Sequence, residues 1–282
     1  MKQEQVFGGI SYEYAIGCIQ ASSRPPLSQE QWNRFQSGSF SQGLGLLREL
    51  GCPVRDNFLD ALEEDWQNTA AFVREISPQP ELTQLLFFEE DALNLKLCRK
   101  AVLGGLSRTE LPVQPGSLEP QLLWVCAENN DYSLLGQPLE TALAPLQDTT
   151  DPCQVSCVID NAFFARAKSL AKQGRSPSLV QLLEQYGQGK NKLTAWRLHR
   201  LGIADRSFAF LPTEEPAQEL PAGISQQELL EQVHQAVNAA LEEAGWGDPM
   251  GVIAGYFFQK KLEYRALGRL LCEKKTAGGK AG

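Results

Sequence analysis

From Asp56 onward, apolar side chains at Phe58, Leu62, Trp66, Thr69 or Ala70, Val73 and Ile76 return every three to four residues until Pro78 and Pro80 interrupt them. That spacing puts them on one face of an α-helix, so an amphipathic helix is predicted here with Asp56 as its N-cap. Beyond the prolines, Leu82, Leu85, Leu86, Leu93, Leu97 and Ala101 keep helical spacing up to Gly104-Gly105, with Glu89, Glu90 and Asp91 interposed, and predict a second helix. The signal lapses over 105–120 and 128–151, which are polar and proline-interrupted and read as connections around a short apolar run at Leu122. It resumes over 160–174 and restarts at Ser176-Pro177, a cap followed by proline at the first helical position, to run past Lys190 to Gly202. Residues 205–223, with Pro212, Pro216 and Pro221, read as a surface linker. Ser225-Gln226-Gln227-Glu228 then spells a capping box. The stripe Leu229, Leu230, Val233, Ala236, Val237, Ala240, Leu241 and Ala244 follows, until Gly245, Gly247 and Pro249 end it. A last helix is predicted to about Cys272, with 274–282 as a frayed tail. No extended alternating pattern occurs, so the predicted class is all-α.

Composition narrows what such a chain can do. A length of 282 residues suits one large helical domain or two to three packed lobes. Hydrophobic residues at 43% and charged residues at 21% are the mix of a globular protein. The formal net charge of −8 argues against nucleic acid or an anionic lipid surface as general partners, and for other proteins. Seven cysteines, odd in number and scattered, read as reduced, mostly buried thiols rather than a disulfide framework. Cys153 and Cys157 are the close pair, and with His199 and His234 as the histidines a zinc site would need ligands from distant segments. Neither histidine has a nucleophile at informative spacing, so no catalytic residue, metal or cofactor is expected. The apolar runs 122–127 and 250–258 fall short of the roughly 18–20 residues of a membrane span. The opening Met1-Lys2-Gln3-Glu4-Gln5 lacks the apolar stretch of a secretory signal, so a cytoplasmic location is expected. No G-x-x-x-x-G-K-[ST] loop occurs, which argues against direct nucleotide binding.

Three segments echo one another: 87–105, 186–202 and 256–271. Aligning Asn94, Asn191 and Glu263 places a basic residue six positions later each time, at Lys100, Arg197 and Arg269, with aromatic residues upstream. Similarity at such long intervals suggests three related helical units about a pseudo-threefold axis rather than a solenoid. Asp91-x-x-Asn94-Leu95-Lys96, with Lys100-Ala101 and Gly104 behind it, resembles a signature of the C subunit of bacterial and archaeal V-type/A-type rotary ATPases, whose counterpart in the eukaryotic vacuolar enzyme is known as the d subunit. Asn191-x-x-Thr194-Ala195-x-Arg197-Leu198 is similar to that family's central helix, and Tyr256-x-x-x-Lys260-x-x-Glu263-x-x-x-Leu267 to its ending. Gln188 departs from a frequent aspartate, Tyr264 from an aliphatic residue, and Cys18-Ile19-Gln20-Ala21 from a stretch that often holds an arginine and an acidic residue.

The resemblance implies a three-lobed funnel of helices, divided at about 1–110, 111–204 and 205–282. It implies a non-catalytic rotor part on the cytoplasmic face of the membrane that couples the central shaft subunits to the proteolipid ring during ATP-linked proton or sodium transport. The candidate structural or interface residues are Asp91, Asn94, Lys96, Lys100, Asn191, Arg197, Arg200, Lys260, Glu263, Arg265 and Arg269. The ordinary alternative for the charged ones is local helix pairing, worth about 0.2–0.5 kcal/mol a pair. Tyr256, Phe257 and Phe258 read as core rather than as an exposed contact. Two rival readings exist. Phe87-Phe88-Glu89-Glu90-Asp91 is similar to the acidic magnesium motif of helical isoprenoid synthases, with Asn130-Asp131-x-Ser133 as the nearest second metal motif. A generic helical interaction scaffold would keep the architecture and lose the family signatures.

Overall fold

The computed structural model describes residues 10–52, 54, 57–107, 113–203, 207–215 and 223–278. Among them the regular structure is α-helix with short 3-10 turns and no β-strand, as the sequence predicts. The chain divides into two compact units, the first made of residues 1–80 and 252–282, the second of residues 81–251.

The first unit holds α1 (Tyr12–Gln20), α2 (Gln29–Ser37), α3 (Phe40–Glu49), α4 (Phe58–Glu75) and most of α12 (Pro249–Gly278). Ser28 and Ser39 start α2 and α3 through capping boxes with Gln31 and Gln42. Asp56 lies outside the described residues; the cap of α4 is Asn57, whose side chain accepts from the Leu59 amide. The predicted stripe of α4 is buried throughout, with Phe58 and Leu62 packed against Phe35, Leu46, Leu47, Leu267 and Leu271. Trp66 sits between Phe257 and Tyr264, at ring distances of 5.0 and 5.9 Å. Tyr256, Phe257 and Phe258 are core, as expected. Instead of fraying after Cys272, α12 continues to Gly278, because Lys274 donates to the carbonyls of Gln36 and Gly38 at 2.8 and 2.5 Å. Residues 279–282 of the predicted tail lie outside the described residues.

The second unit holds α6 (Phe88–Leu103), α7 (Pro120–Asn129), α8 (Leu139–Leu143), α9 (Pro152–Gln173), α10 (Pro177–Arg200) and α11 (Gln226–Gly247), with α5 (Pro80–Thr83) at its start. The single helix predicted from Leu82 to Ala101 is interrupted by a 3-10 turn over Gln84–Phe87. Leu85, Leu86, Phe87 and Phe88 are all buried, which one stripe of a continuous α-helix cannot achieve. The short apolar run at Leu122 is itself a helix, α7, and the connection predicted after it holds α8; together they seat Leu123, Trp124, Leu139 and Leu143 in the core. Helix α9 starts eight residues ahead of the predicted Asp160, at Pro152, because Asp151 accepts from the amides of Cys153 and Gln154. Ser176 and the Ser225–Glu228 box cap α10 and α11 as predicted. Gly245 does not stop α11, which runs on to Gly247.

Candidate functional site: buried clamps on connecting straps

Asp91 and Asn94 stand one turn apart on α6, 1% and 2% exposed. The Asn94 side chain makes both hydrogen bonds that one residue's backbone offers: Nδ2 donates to the Gln114 carbonyl at 2.9 Å and Oδ1 accepts from the Gln114 amide at 2.8 Å. Asp91 accepts from the Ser117 hydroxyl and, at 2.9 Å, from the Leu118 amide. The segment 114–118 is therefore a strap held against α6 without any strand pairing, with the Gln114 backbone groups and the Leu118 amide satisfied by buried side chains. Gly116 permits the approach, since a Cβ there would lie 2.2 Å from Asp91 Oδ1. Burial pushes the Asp91 carboxyl above the ordinary carboxylate range, against the pull of the Ser117 and Leu118 bonds and of Arg166.

Helix α10 repeats the arrangement. Asn191 Nδ2 donates to the Leu211 carbonyl at 2.9 Å and Oδ1 accepts from the Leu211 amide at 2.7 Å, again across a sequence separation of 20. Glu184 accepts from the Glu214 amide and from Lys168 Nζ, both at 2.7 Å. Burial raises the Glu184 carboxyl, but the Lys168 and Glu214 bonds outweigh it and the net shift is downward. Gly187 lets the strap 211–214 approach, because a Cβ would lie 2.6 Å from both Phe164 and Thr213. The helix ends match as well. Gly105 and Gly202 are left-handed at φ of 68° and 65°, and the next amides, of Leu106 and Ile203, bond back to Ala101 and Leu198.

On α12 the aligned residue, Glu263, is 7% exposed and accepts from the backbone amide of Leu27. Tyr256 donates to the Arg24 carbonyl at 3.4 Å, so the strap on this helix is 24–27. Lys260 bonds Glu263 at 3.2 Å and reaches Asp65 at 3.7 Å, while Asp65 pairs with Arg24 at 2.8 Å. Burial raises the Glu263 carboxyl, with Lys260 and the Leu27 amide opposing.

Of the residues singled out from sequence, the structure brings together Asp91 with Asn94 and Lys260 with Glu263, and gives Asn191 the same role on α10. Lys96 pairs with Asp160 at 2.7 Å. Lys100, Arg197, Arg200, Arg265 and Arg269 are exposed, with Arg200 lying over the Trp196 ring at 5.4 Å. Sequence reasoning passes over Arg24, Asp65, Lys168 and Glu184, whose partners lie far along the chain. It also passes over Arg99, which is buried and donates to the carbonyls of Ala127 and Leu146 at 3.2 Å each. Gly116 and Gly187 are the one local signal available.

The acidic run 89–91 is committed to packing. Glu89 accepts from the Tyr186 hydroxyl and pairs with Lys190 at 3.4 Å, and Asp91 holds its strap. Asp131, in the other proposed metal motif, accepts from the Ser133 amide at 3.0 Å. Among the described residues no three His, Cys, Asp or Glu side chains gather as a metal site would need. No helix among them is long and apolar enough to cross a membrane.

No family model matches the chain. Two curated proteins do, both named as the C subunit of a V-type ATP synthase, from two strains of Thermus thermophilus. The chain is similar to the V-type ATP synthase C subunit. Each relative is 28% identical over 136 residues, which cover 45% of this chain and 42% of the relative. The chain thus matches less than half the length of these V-type ATP synthase proteins.

Proposed function

We propose that this chain is a non-catalytic central-stalk subunit of a V-type/A-type rotary ATPase, coupling the rotating shaft to the membrane proteolipid ring. The observation that carries the reading is the recurrence of one device, a buried polar side chain clamping a non-helical strap, at Asn94, Asn191 and Glu263. Those are the positions at which the sequence resembles the family, and the similarity to the Thermus proteins supports the same assignment. A coupling element transmits torque without yielding, and irregular segments are where a helical protein yields first. Fixing each strap to a buried helical side chain stiffens that weak point. The recurrence also supports a three-lobed, pseudo-threefold funnel. In this reading, the exposed Lys100, Arg197, Arg200, Arg265 and Arg269 meet acidic surfaces of the shaft or ring, with arginine giving bidentate carboxylate contacts. The protein is then peripheral on the cytoplasmic face of the membrane, and nucleotide and ion binding belong to its partners.

Purification of the tagged chain from its own membranes in mild detergent, with mass spectrometry and an ATPase assay of the eluate, tests this. Co-elution of shaft and proteolipid subunits with ATPase activity is expected. Recovery of the chain alone from membranes holding an intact rotary ATPase overturns the reading.

A further inference from the structure

The three clamps are equivalent in position but not in chemistry. In the two amide clamps, one asparagine satisfies an N–H and a C=O of the same strap residue, and the carboxylates of Asp91 and Glu184 add to that neutral hold rather than replace it. A carboxylate only accepts, so Glu263 takes the Leu27 amide while the Arg24 carbonyl depends on the Tyr256 hydroxyl at 3.4 Å, a long contact. What holds the strap 24–27 is instead a balanced chain of charges: Arg24 to Asp65, Asp65 to Lys260, Lys260 to Glu263, and Glu263 to the Leu27 amide. The side chains are 25%, 16%, 6% and 8% exposed in that order, so each member is costly to leave without its partner. The groups facing Glu263 are Lys260 and Tyr264 on its own helix, Arg24 and the Leu27 amide on the strap, Asp65 on α4 and the Cys52 thiol ahead of α4. They enclose a cavity of about 20 Å³, enough for a water molecule beside the charges.

This strap also differs in what it retains. Each strap joins one helix to the next, but the amide-clamped ones are held by the helix just before them, whereas 24–27, between α1 and α2, is tied to a helix 236 residues away. Helix α1 fully buries Ala15 alone, leaves Tyr14 60% exposed and holds Tyr12, Ile16, Cys18 and Ile19 half-buried, while Leu27 packs partly buried against the core. Its hydrophobic hold is partial, and the charges supply the rest.

We infer that the Arg24–Asp65–Lys260–Glu263 network is an ionic latch that retains residues 11–27, and that this segment opens as one unit while the two amide clamps stay closed. The latch is a local, electrostatically controlled opening, and it holds whether or not the chain assembles into a rotary ATPase.

Amide hydrogen exchange on the isolated full chain, read by mass spectrometry, tests it. In the wild-type chain at low urea, residues 11–27 are expected to exchange through an opening that leaves the amides of α4 and of 260–271 protected. Asp65→Asn removes two links of the network without touching the Glu263–Leu27 contact, and is expected to speed exchange over 11–27 by at least about tenfold. Peptides covering 114–118 and 211–214 keep their wild-type rates. Asn191→Ala, the control, speeds 211–214 and leaves 11–27 unchanged. The inference is overturned if 11–27 exchanges only together with α4 and α12 in the wild type, or if Asp65→Asn accelerates all three straps alike. The urea experiment needs no variant, so it decides the matter even where Asp65→Asn fails to fold.

Discussion

Asparagine suits the clamp because its side chain is a peptide group turned sideways, matching an N–H and a C=O at once. Asn191→Ala would leave the Leu211 amide unpaired and its carbonyl with the Thr213 amide alone. The expected loss is about 1–3 kcal/mol, seen as a lower urea midpoint with an unchanged slope. Asp91 makes a different prediction. Its folded-state carboxyl lies above the ordinary value of 3.8, so between that value and the folded pKa the native state binds more protons than the unfolded one. The stability Asp91 contributes therefore falls as pH rises through that window. Asp91→Asn keeps an acceptor for the Leu118 amide and removes the titration. Stability of the variant relative to wild type is expected to improve between about pH 4 and pH 7, and denaturation at the two ends of that range measures it. The alignment of Asn94, Asn191 and Glu263 was visible from spacing, whereas their job was not. The basic residues that made the echo noticeable, Lys100, Arg197 and Arg269, sit at the surface. The strap partners of the aligned residues lie 20, 20 and 236 positions away, where no local pattern points.

At the scale of helices, boundaries followed caps more closely than hydrophobic runs. Ser176-Pro177 and the Ser225–Glu228 box start α10 and α11 where the sequence says, because each cap satisfies amides that a helix start leaves open. Glycines inside helices carry two different meanings. Gly187 and Gly189 of α10 are points of close approach, with a Cβ at Gly189 reaching 2.6 Å from Val233 of α11. Gly187→Ala gains about 1 kcal/mol of helix propensity but drives a methyl into Phe164 and Thr213, which costs about 1–3 kcal/mol. A net loss of stability with faster exchange over 211–214 is expected, and an equal or higher urea midpoint would contradict the packing argument. Gly245 shows the converse, a glycine carried along by the helix around it.

For the whole molecule, the consequence of chain order is that the second unit is continuous and the first is not. Residues 81–251 hold their own core, with Leu123, Phe163, Phe164, Leu182 and Leu183 among the most buried side chains. The first unit needs both 1–80 and 252–282, so the contacts between those two parts form only after a long intervening segment is closed. Closure costs grow slowly with length, about 0.6 kcal/mol per doubling, but they precede the contacts that offset them and so delay folding. A fragment comprising 81–251 is expected to fold alone, with cooperative thermal unfolding by circular dichroism. A fragment comprising 1–80 by itself is expected to lack such a transition, since Leu267 and Leu271 supply part of its core.

The sequence by itself determined the all-α class, the α4 stripe, the caps of α10 and α11 and the equivalence of three positions, because each of these is written within a few residues of chain. Periodicity and capping are local physics, and a reader of the sequence has every term. Only the tertiary structure decided that a run of buried leucines and phenylalanines breaks into a 3-10 turn, that Lys274 extends the last helix, and that asparagine and glutamate of the same register clamp straps by different chemistry. Those outcomes depend on which distant backbone group comes within about 3 Å of a buried side chain, and on whether the cost of burying it is met by an amide or by a countercharge.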